Sequence, residues 1–327
     1  MFTPSLGIDI AKKSFDVALV KERGVCATGH FNNCPAGFGQ LASWLAHHDV
    51  PCVHACMEAT GRYGDALAVA LHEQGHRVSI VNPLRIRAYG QSKLLRTKTD
   101  KADAQLIADF CATQSPSLWQ PRSIFQSQLQ SLSRRLDALK QSHSQEINRL
   151  GAQDPSPAVR RSIEEHIDFL DRQIQQLEEA VRQLLDQDNQ MRTQIELLCS
   201  IPGISHHTAA KFLAEVPDIS RFPQAKHIVA YAGLCPRQHT SGTSVRKKTR
   251  LAKSGSSSLR SLFYMPALSA MRYNPLILPL VQRLRTQGKH PRLILGAVMR
   301  KLLHLAYGVL KTGQPFDPLY LSAQAPP

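Results

Sequence analysis

The sequence predicts a chain in three parts: an α/β domain over residues 1–120, an antiparallel coiled-coil hairpin over 121–198, and a mainly α-helical domain over 199–327. Three observations predict it. Strand and helix signals alternate through the first part. Leucine and isoleucine then recur at three- and four-residue steps on both sides of a Pro-containing break. The net charge of +15 sits in the last third, where 18 Lys and Arg face only Glu215, Asp218 and Asp317, while residues 1–198 balance.

The elements follow in order. In "SLGIDI", Leu6, Ile8 and Ile10 share one face of a strand, with Gly7 and Asp9 on the other. "SFDVALV" and "GVCATGHF" are two more short strands, which makes an antiparallel meander. "AGFGQLASWLAHH" is amphipathic, "VPCVHACM" is a buried strand, and "GDALAVALHEQG" is a helix stopped by Gly75. "RVSIV" is a further strand, ended by Asn82-Pro83, and the last element is a helix that begins near Asp100. Three strands, helix, strand, helix, strand, helix is the order of a ribonuclease H-like α/β fold.

The hairpin is read from Leu129, Leu132, Leu136, Leu139, Ile147 and Leu150, with His143 at one seam position. After "GAQDPSPA" the stripe resumes at Ile163, Ile167, Leu170, Ile174, Leu177, Val181 and Leu184, and Met191, Ile195 and Leu198 extend it. Such a hairpin packs on itself or serves as a dimer arm. From Cys199 the chain reads as helical, apart from a Ser/Gly/basic stretch at 237–260.

Composition excludes several classes. At 43% hydrophobic and 20% charged, the chain is ordinary for a folded soluble protein. "MFTPSLGIDIAKK" carries no secretory pattern. The apolar "LILGAVMRKLLHLAYGVL" is interrupted by Arg300, Lys301 and His304, which predicts an amphipathic helix and no membrane span. Seven scattered cysteines without a CxxC fit a reducing cytoplasm. In "CVHAC", buried strand positions explain Cys52, His54 and Cys56 better than zinc does. There is no GxxxxGK[ST] loop. A folded segment as basic as the last third is built to meet a polyanion, and nucleic acid is the first choice.

Two sets of residues carry candidate chemistry. In "RTKTDKADAQLIADF", Asp100 and Asp103 stand three apart at a helix start. They read either as the N-cap and a third-position acid, or as two ligands of a cation on one helix face. Asp9 is a carboxylate in mid-strand, and Glu58 directly follows the strand "VPCVHACM". Capping explains neither. Four converging carboxylates would repel unless divalent cations neutralised them, and oxygen-only ligands select Mg²⁺ or Mn²⁺.

The second set is basic. In "LLCSIPGISHHTAAKFLAEV", Pro202, Gly203 and Ser205 join two helices as a helix-hairpin-helix element would, offering free N–H groups to a phosphate. An ordinary Pro-Gly corner is the alternative. The stretch 237–260 carries Arg237, Arg246, Lys247, Lys248, Arg250, Lys253 and Arg260 and no acid. Its Ser241-Gly242 is either part of a loop that wraps a nucleic-acid backbone or a nucleophile open to a bulky phosphate.

"GIDIAKKSFDV", "MEATGRYG" and "RTKTDKADAQLIADF" together resemble the DEDD-type transposases of bacterial insertion sequences, a group also called bridge-RNA-guided recombinases. The resemblance runs over nearly the whole chain. It implies an N-terminal domain similar to the RuvC resolvase and a cation-binding catalytic set of Asp9, Glu58, Asp100 and Asp103. It also implies a nucleophilic serine after "YAGLCP", at Ser241, with Ser244 the second choice. By the same resemblance the partners are donor and target DNA, a structured guide RNA, and further copies of the chain as dimers that join into tetramers. One departure is Ser256, where the family's pattern has asparagine after glycine. No general base is evident; His239 is merely close in sequence. The rival expectations are a hydrolytic junction-resolving endonuclease without a covalent serine, and a non-catalytic nucleic-acid-binding scaffold.

Overall fold

The computed structural model describes residues 3–22, 24–59, 61–94, 99–152, 156–216, 218–241 and 245–319, with the side chains of 26, 239–241 and 245–248 outside that description. The chain divides into two compact units, Met1–Pro121 and Arg122–Pro327.

The first unit is a five-stranded mixed sheet with helices on both faces. Its strands are β1 (Ser5–Ile10), β2 (Ser14–Lys21), β3 (Gly24–Asn32), β4 (His54–Glu58) and β5 (Arg77–Val81). They lie in the order β3-β2-β1-β4-β5. β1, β2 and β3 form an antiparallel meander, while β4 pairs parallel with β1 and β5 parallel with β4. The helices are α1 (Pro35–His47), α2 (Asp65–Glu73), α3 (Pro83–Ser92) and α4 (Asp100–Gln114).

Alternation along β1 decides which helix goes where. Leu6, Ile8 and Ile10 join Leu41 and Leu45 of α1 and Leu67, Ala68 and Leu71 of α2 in one core. The opposite face has almost no side chain at Gly7, and α4 lies directly on it. A Cβ at Gly7 would come 2.1 Å from the Ala104 carbonyl oxygen and 2.2 Å from the Ala108 nitrogen. Ala104 and Ala108 are themselves small, and they pack with Ala18 and Val20 of β2. Glycine against alanine lets helix and sheet backbones approach this closely.

The helix α3 was not expected from the sequence. Asn82-Pro83, read as a strand terminator, is also a helix start: the Asn82 Oδ1 accepts from the Leu84 N–H at 2.9 Å and Pro83 occupies the first turn. Proline fits there because its missing N–H would have no partner in the helix.

The second unit begins with the hairpin of α5 (Ile124–Ala152) and α6 (Pro157–Asp186). Lys140 pairs with Glu178 at 2.7 Å, His143 with Asp171 at 3.1 Å and Glu146 with His166 at 3.3 Å. Partner numbers fall as α5 advances, so the helices are antiparallel and pack on each other. His143 takes its seam position by meeting an acid. The stripe does not run on to residue 198 as expected. Asp188 restarts the chain by capping α7 (Asn189–Cys199), its Oδ1 accepting from Met191 N–H at 3.0 Å.

α8 (His206–Glu215), α9 (Ala225–Tyr231), α10 (Ser257–Leu262), α11 (Tyr264–Tyr273), α12 (Leu278–Thr286) and α13 (Pro291–Thr312) complete a mainly helical unit. The stretch expected as a loop after Cys235 is instead a two-stranded antiparallel hairpin, β6 (Pro236–Ser241) and β7 (Val245–Leu251). α5 is tied to α8 by a Lys211–Asp137 ion pair and by Arg134 against Glu215 at 3.4 Å. α13 is long and apolar enough to cross a membrane by length and composition. Its Ile294, Val298, Leu302, Leu303 and Ala306 are buried with Phe212 and Phe263 in the core of this unit, as an amphipathic core helix requires.

Candidate carboxylate site and basic hairpin

The acids of the first unit gather on the α4 side of the sheet. Asp9 has the parity of Gly7, over which α4 lies. Glu58 ends β4 one residue after Met57, the register partner of Ile8, so it stands beside Asp9 on the neighbouring parallel strand. Asp100 and Asp103 occupy the first turn of α4. Asn33 braces this end of the sheet, its side-chain amide donating to the carbonyls of Ala11 at 3.1 Å and Tyr63 at 3.0 Å.

Capping does not account for the α4 acids. The N-cap is Thr99, not Asp100: the Thr99 Oγ1 accepts from the Ala102 N–H at 3.2 Å. Asp100 is the first residue of the helix and Asp103 donates its N–H to the Thr99 carbonyl at 2.8 Å. Both carboxylates stand in the positive field of the helix start. Arg96 and Lys98 of the same motif lie outside the described residues.

The electrostatics register this gathering. Burial pushes the Asp9 carboxyl up to about 6, and the charges of Asp103, Asp100 and Asp16 push it the same way, against one hydrogen bond from the Ile10 backbone. Acids from two strands and a helix therefore sense one another across the site. An oxygen-only set with this mutual repulsion suits a hard divalent cation, which would favour the charged forms. Among the described residues, however, no three His, Cys, Asp or Glu side chains are arranged to hold a metal ion. The four acids are brought to one region and are not drawn to a common point.

One residue of this region escaped sequence reasoning. Asp16 of β2 is the direct register partner of Asp9, and His30 of β3 is the partner of Asp16. The signal was present: pairing Ile10 with Phe15 across the turn "AKKS" places residue 16 opposite residue 9.

In the second unit, Pro202 and Gly203 turn the chain between α7 and α8. Gly203 has φ +108°, and a Cβ there would meet the Pro266 carbonyl oxygen at 2.9 Å and Ala270 of α11 at 3.0 Å. The Pro202 carbonyl accepts from the Asn274 side chain at 3.1 Å. Ser205 caps α8, its Oγ accepting from Thr208 N–H at 3.3 Å. The glycine is explained by packing on α11 within the protein itself.

Ser241 is the last residue of β6 and pairs in register with Val245. Gly242 and Ser244 lie outside the described residues, as do the side chains of His239, Ser241, Arg246, Lys247 and Lys248. Arg237 and Arg250 face each other across the hairpin and are exposed. Two turns grip its base. The N–H groups of Ala252, Lys253 and Ser256 donate to the carbonyls of Cys235 at 2.8 Å, Gly233 at 3.2 Å and Tyr231 at 2.7 Å. A Cβ on Gly255 would come within 2.2 Å of the Tyr231 oxygen. Lys253 holds a left-handed φ of 56° at this crossing. Arg260 is half-buried and donates to the Ala232 carbonyl at 3.3 Å, so it braces the "YAGLCP" turn from inside. Ser256, the departure from the family's pattern, caps α10 by accepting from Leu259 N–H at 3.1 Å.

Comparison with known proteins covers both units. Residues 195–282 match the family model described as Transposase IS116/IS110/IS902 family, and residues 6–153 match a second model described as a transposase, that of the IS110 DEDD type. The pilin gene-inverting protein of Moraxella bovis is 38% identical over 316 residues, 95% of this chain and 97% of that protein. The pilin gene-inverting protein of Moraxella lacunata is similar to the same extent, 38% over 316 residues. The transposase for insertion sequence element IS1111A of Coxiella burnetii is 27% identical over 300 residues, 82% of this chain and 78% of that protein.

Proposed function

The chain belongs to the IS110 family of transposases, and from that premise we propose that it cuts and rejoins DNA through a covalent seryl–DNA link served by a divalent-cation site. The observation that carries the reading is the gathering of Asp9, Asp100 and Asp103, with Glu58 beside Asp9 in the sheet. The first unit is then a RuvC-like, ribonuclease H-like domain, supported by the strand order β3-β2-β1-β4-β5 with its antiparallel meander and two parallel strands. The division into parts at 1–120, 121–198 and 199–327 is kept as a division of labour.

Asp9, Glu58, Asp100 and Asp103 would hold Mg²⁺ or Mn²⁺. Bound there, the cation supplies positive charge for a phosphate whose negative charge grows during attack. The Ser241 hydroxyl attacks phosphorus, giving up its proton; a Ser–O–P bond forms, one P–O bond of the DNA breaks, and a sugar hydroxyl leaves. A hydroxyl from the other DNA end reverses the step, so the bond energy is kept and no nucleotide triphosphate is needed. The basic hairpin and the α7–α8 corner contribute backbone contacts without reading sequence. A structured guide RNA selects donor and target. Exposed Ile147, Val159 and Phe169 on the helical hairpin support its use as an arm between copies in dimers and tetramers.

The deciding experiment is strand transfer with Mg²⁺ or Mn²⁺ followed by denaturing gels. Wild type should leave a detergent-resistant protein–DNA adduct, Ser241→Ala none, and Asp103→Ala neither adduct nor product. Full cleavage by Ser241→Ala would replace this mechanism with the hydrolytic one, and full activity of Asp103→Ala would return the scaffold reading. Sequencing RNA that copurifies with the chain tests the guide.

A second reading has an observation of its own. Relatives named for pilin gene inversion match over nearly the whole chain and at higher identity than the insertion-sequence transposase. The same chemistry applied to two inverted sites on one DNA flips the segment between them. A plasmid carrying the DNA that borders the gene in inverted orientation tests it: inversion supports this reading, and mobilisation to new sites alone removes it.

A further inference from the structure

We propose that the turn after β1 and the turn after β4 form a clamp for a single DNA strand, in which Lys12, Lys13 and Arg62 hold phosphates and Tyr63 stacks on an unpaired base. It rests on the reading that the first unit meets DNA, and not on a cation being bound there.

The place comes from the sheet. β1 and β4 run parallel side by side, and the chain leaves β1 for β2 on one side and returns in β4 on the other. In open sheets a crevice lies beyond the carboxyl ends of the strands at such a switch, and ligands bind there. Two turns stand at this end. Ala11, Lys12 and Lys13 follow β1, and Arg62–Gly64, a single helical turn, follows β4. Asn33 fastens one to the other, because the same side-chain amide donates to the Ala11 and Tyr63 carbonyls. The first turn is closed by Ala11 N–H on the Ser14 carbonyl at 2.9 Å and by Asn33 N–H on the Lys13 carbonyl at 2.9 Å. The second is seated by Gly64, where a Cβ would come 3.1 Å from the Met57 sulfur. Main-chain groups thus hold both turns in place, and their long side chains take no part in it.

Those side chains are of the kind that a nucleic-acid strand needs. Lys12, Lys13 and Arg62 are exposed, and none of them pairs with a described acid. Cations on two turns fastened together repel one another, and a run of phosphates removes that cost. Tyr63, next to Arg62, is 47% exposed and stacks on no other described ring. A single exposed tyrosine needs no explanation. One set among unpaired cations does, because single strands are bound by a basic track for the backbone combined with aromatic rings for the bases. A duplex keeps its base faces covered, so the tyrosine selects an opened strand. Asp9 and Glu58 stand at the ends of the same two strands and would repel a phosphate brought near them. The three cations offset that repulsion.

The test uses the full chain in EDTA, so that neither a bound cation nor recombination enters. A single-stranded DNA oligonucleotide carrying one 5-iodouracil is crosslinked by light, and the labelled residue is found by mass spectrometry. Tyr63 should be labelled, and Asp103→Ala should leave that labelling unchanged. Tyr63→Ala should weaken binding about tenfold, the order of one base–aromatic stack, while Tyr63→Phe, which keeps the ring, should stay within about threefold of wild type. Replacing Lys12, Lys13 and Arg62 together by Gln should lower the slope of log affinity against log salt by about 2, at about 0.7 for each phosphate of a single strand. Melting checks that each variant folds, and the crosslink to wild type needs no variant. If Tyr63 is not labelled, or the triple variant keeps the wild-type slope, this inference is overturned, whether or not the chain transfers strands. If RNA of the same sequence labels Tyr63 and DNA does not, DNA is the wrong ligand and the inference falls as stated. If Tyr63 is labelled but no seryl adduct forms with Mg²⁺ or Mn²⁺, the clamp stands and the covalent mechanism falls.

Discussion

Asp9 concentrates the conflict in this molecule. It is a half-buried carboxylate with three acids pressing on it, and its pKa rises from an ordinary 3.8 to about 6. The folded state therefore holds that proton more tightly than the unfolded chain does. Between pH 4 and 6 the unfolded chain loses its proton first, so stability falls as pH rises through this window and levels off above it. Melting in EDTA should show this decline for wild type and a flatter profile for Asp9→Asn, which should also melt higher at pH 7.5. Adding Mg²⁺ at pH 7.5 should raise the wild-type melting temperature and leave Asp9→Asn unchanged. An Asp9→Asn variant that melts lower than wild type in EDTA would contradict the account. At this scale the sequence was informative about faces: Gly7 and Asp9 opposite Leu6, Ile8 and Ile10 follow from alternation alone. Asp16 was passed over because its place opposite Asp9 is set by register with another strand, and alternation along one strand says nothing about what stands across from it.

The position of α4 depends on the absence of one side chain. Gly7→Ala would drive a methyl group into the Ala104 and Ala108 backbone, which cannot turn aside as a flexible side chain could. Overpacking of this kind costs about 1–3 kcal/mol. Gly7→Ala should lower the melting temperature and, by moving α4 off the sheet, weaken Mn²⁺ binding, although it touches no acid. Gly255 sets the β6–β7 base in the same way: Gly255→Ala would meet the Tyr231 oxygen and the Gly233 nitrogen. It should abolish the seryl adduct while leaving Mn²⁺ affinity at the wild-type value, because its effect is confined to the second unit. Elements with a strong period, such as α5, α6 and the core strands, were legible beforehand. α3 was passed over because Asn-Pro serves both to end a strand and to start a helix. The β6–β7 hairpin was passed over because its strands are polar and basic, and alternation of apolar residues had nothing to mark.

Over the whole molecule, charge is divided as the chain is. No Asp or Glu occurs from Ile219 to Phe316, so β6, β7 and helices α9 to α13 bring no acidic counter-charge of their own; the acids of the second unit stand on α5 to α8 and at their joins, with Asp317 beyond α13. Arg237 and Arg250 show the consequence, two exposed guanidinium groups set directly opposite on β6 and β7. Like charges so placed repel, and a phosphate between them removes the cost. Each cation that meets a phosphate releases a counterion, which gives a slope of about 0.9 in log affinity against log salt for duplex DNA. Arg237→Gln and Arg250→Gln should each reduce that slope by about 1, and the double variant by about 2. Both should weaken binding equally on unrelated DNA sequences, since phosphate contacts carry no base information. Arg260→Gln should behave differently. Its guanidinium is already engaged with the Ala232 carbonyl, so it should lower the melting temperature and leave the salt slope unchanged. A slope unaffected by the hairpin arginines, or one reduced by Arg260→Gln without loss of stability, would mean that the basic surface meets its polyanion somewhere other than at β6 and β7.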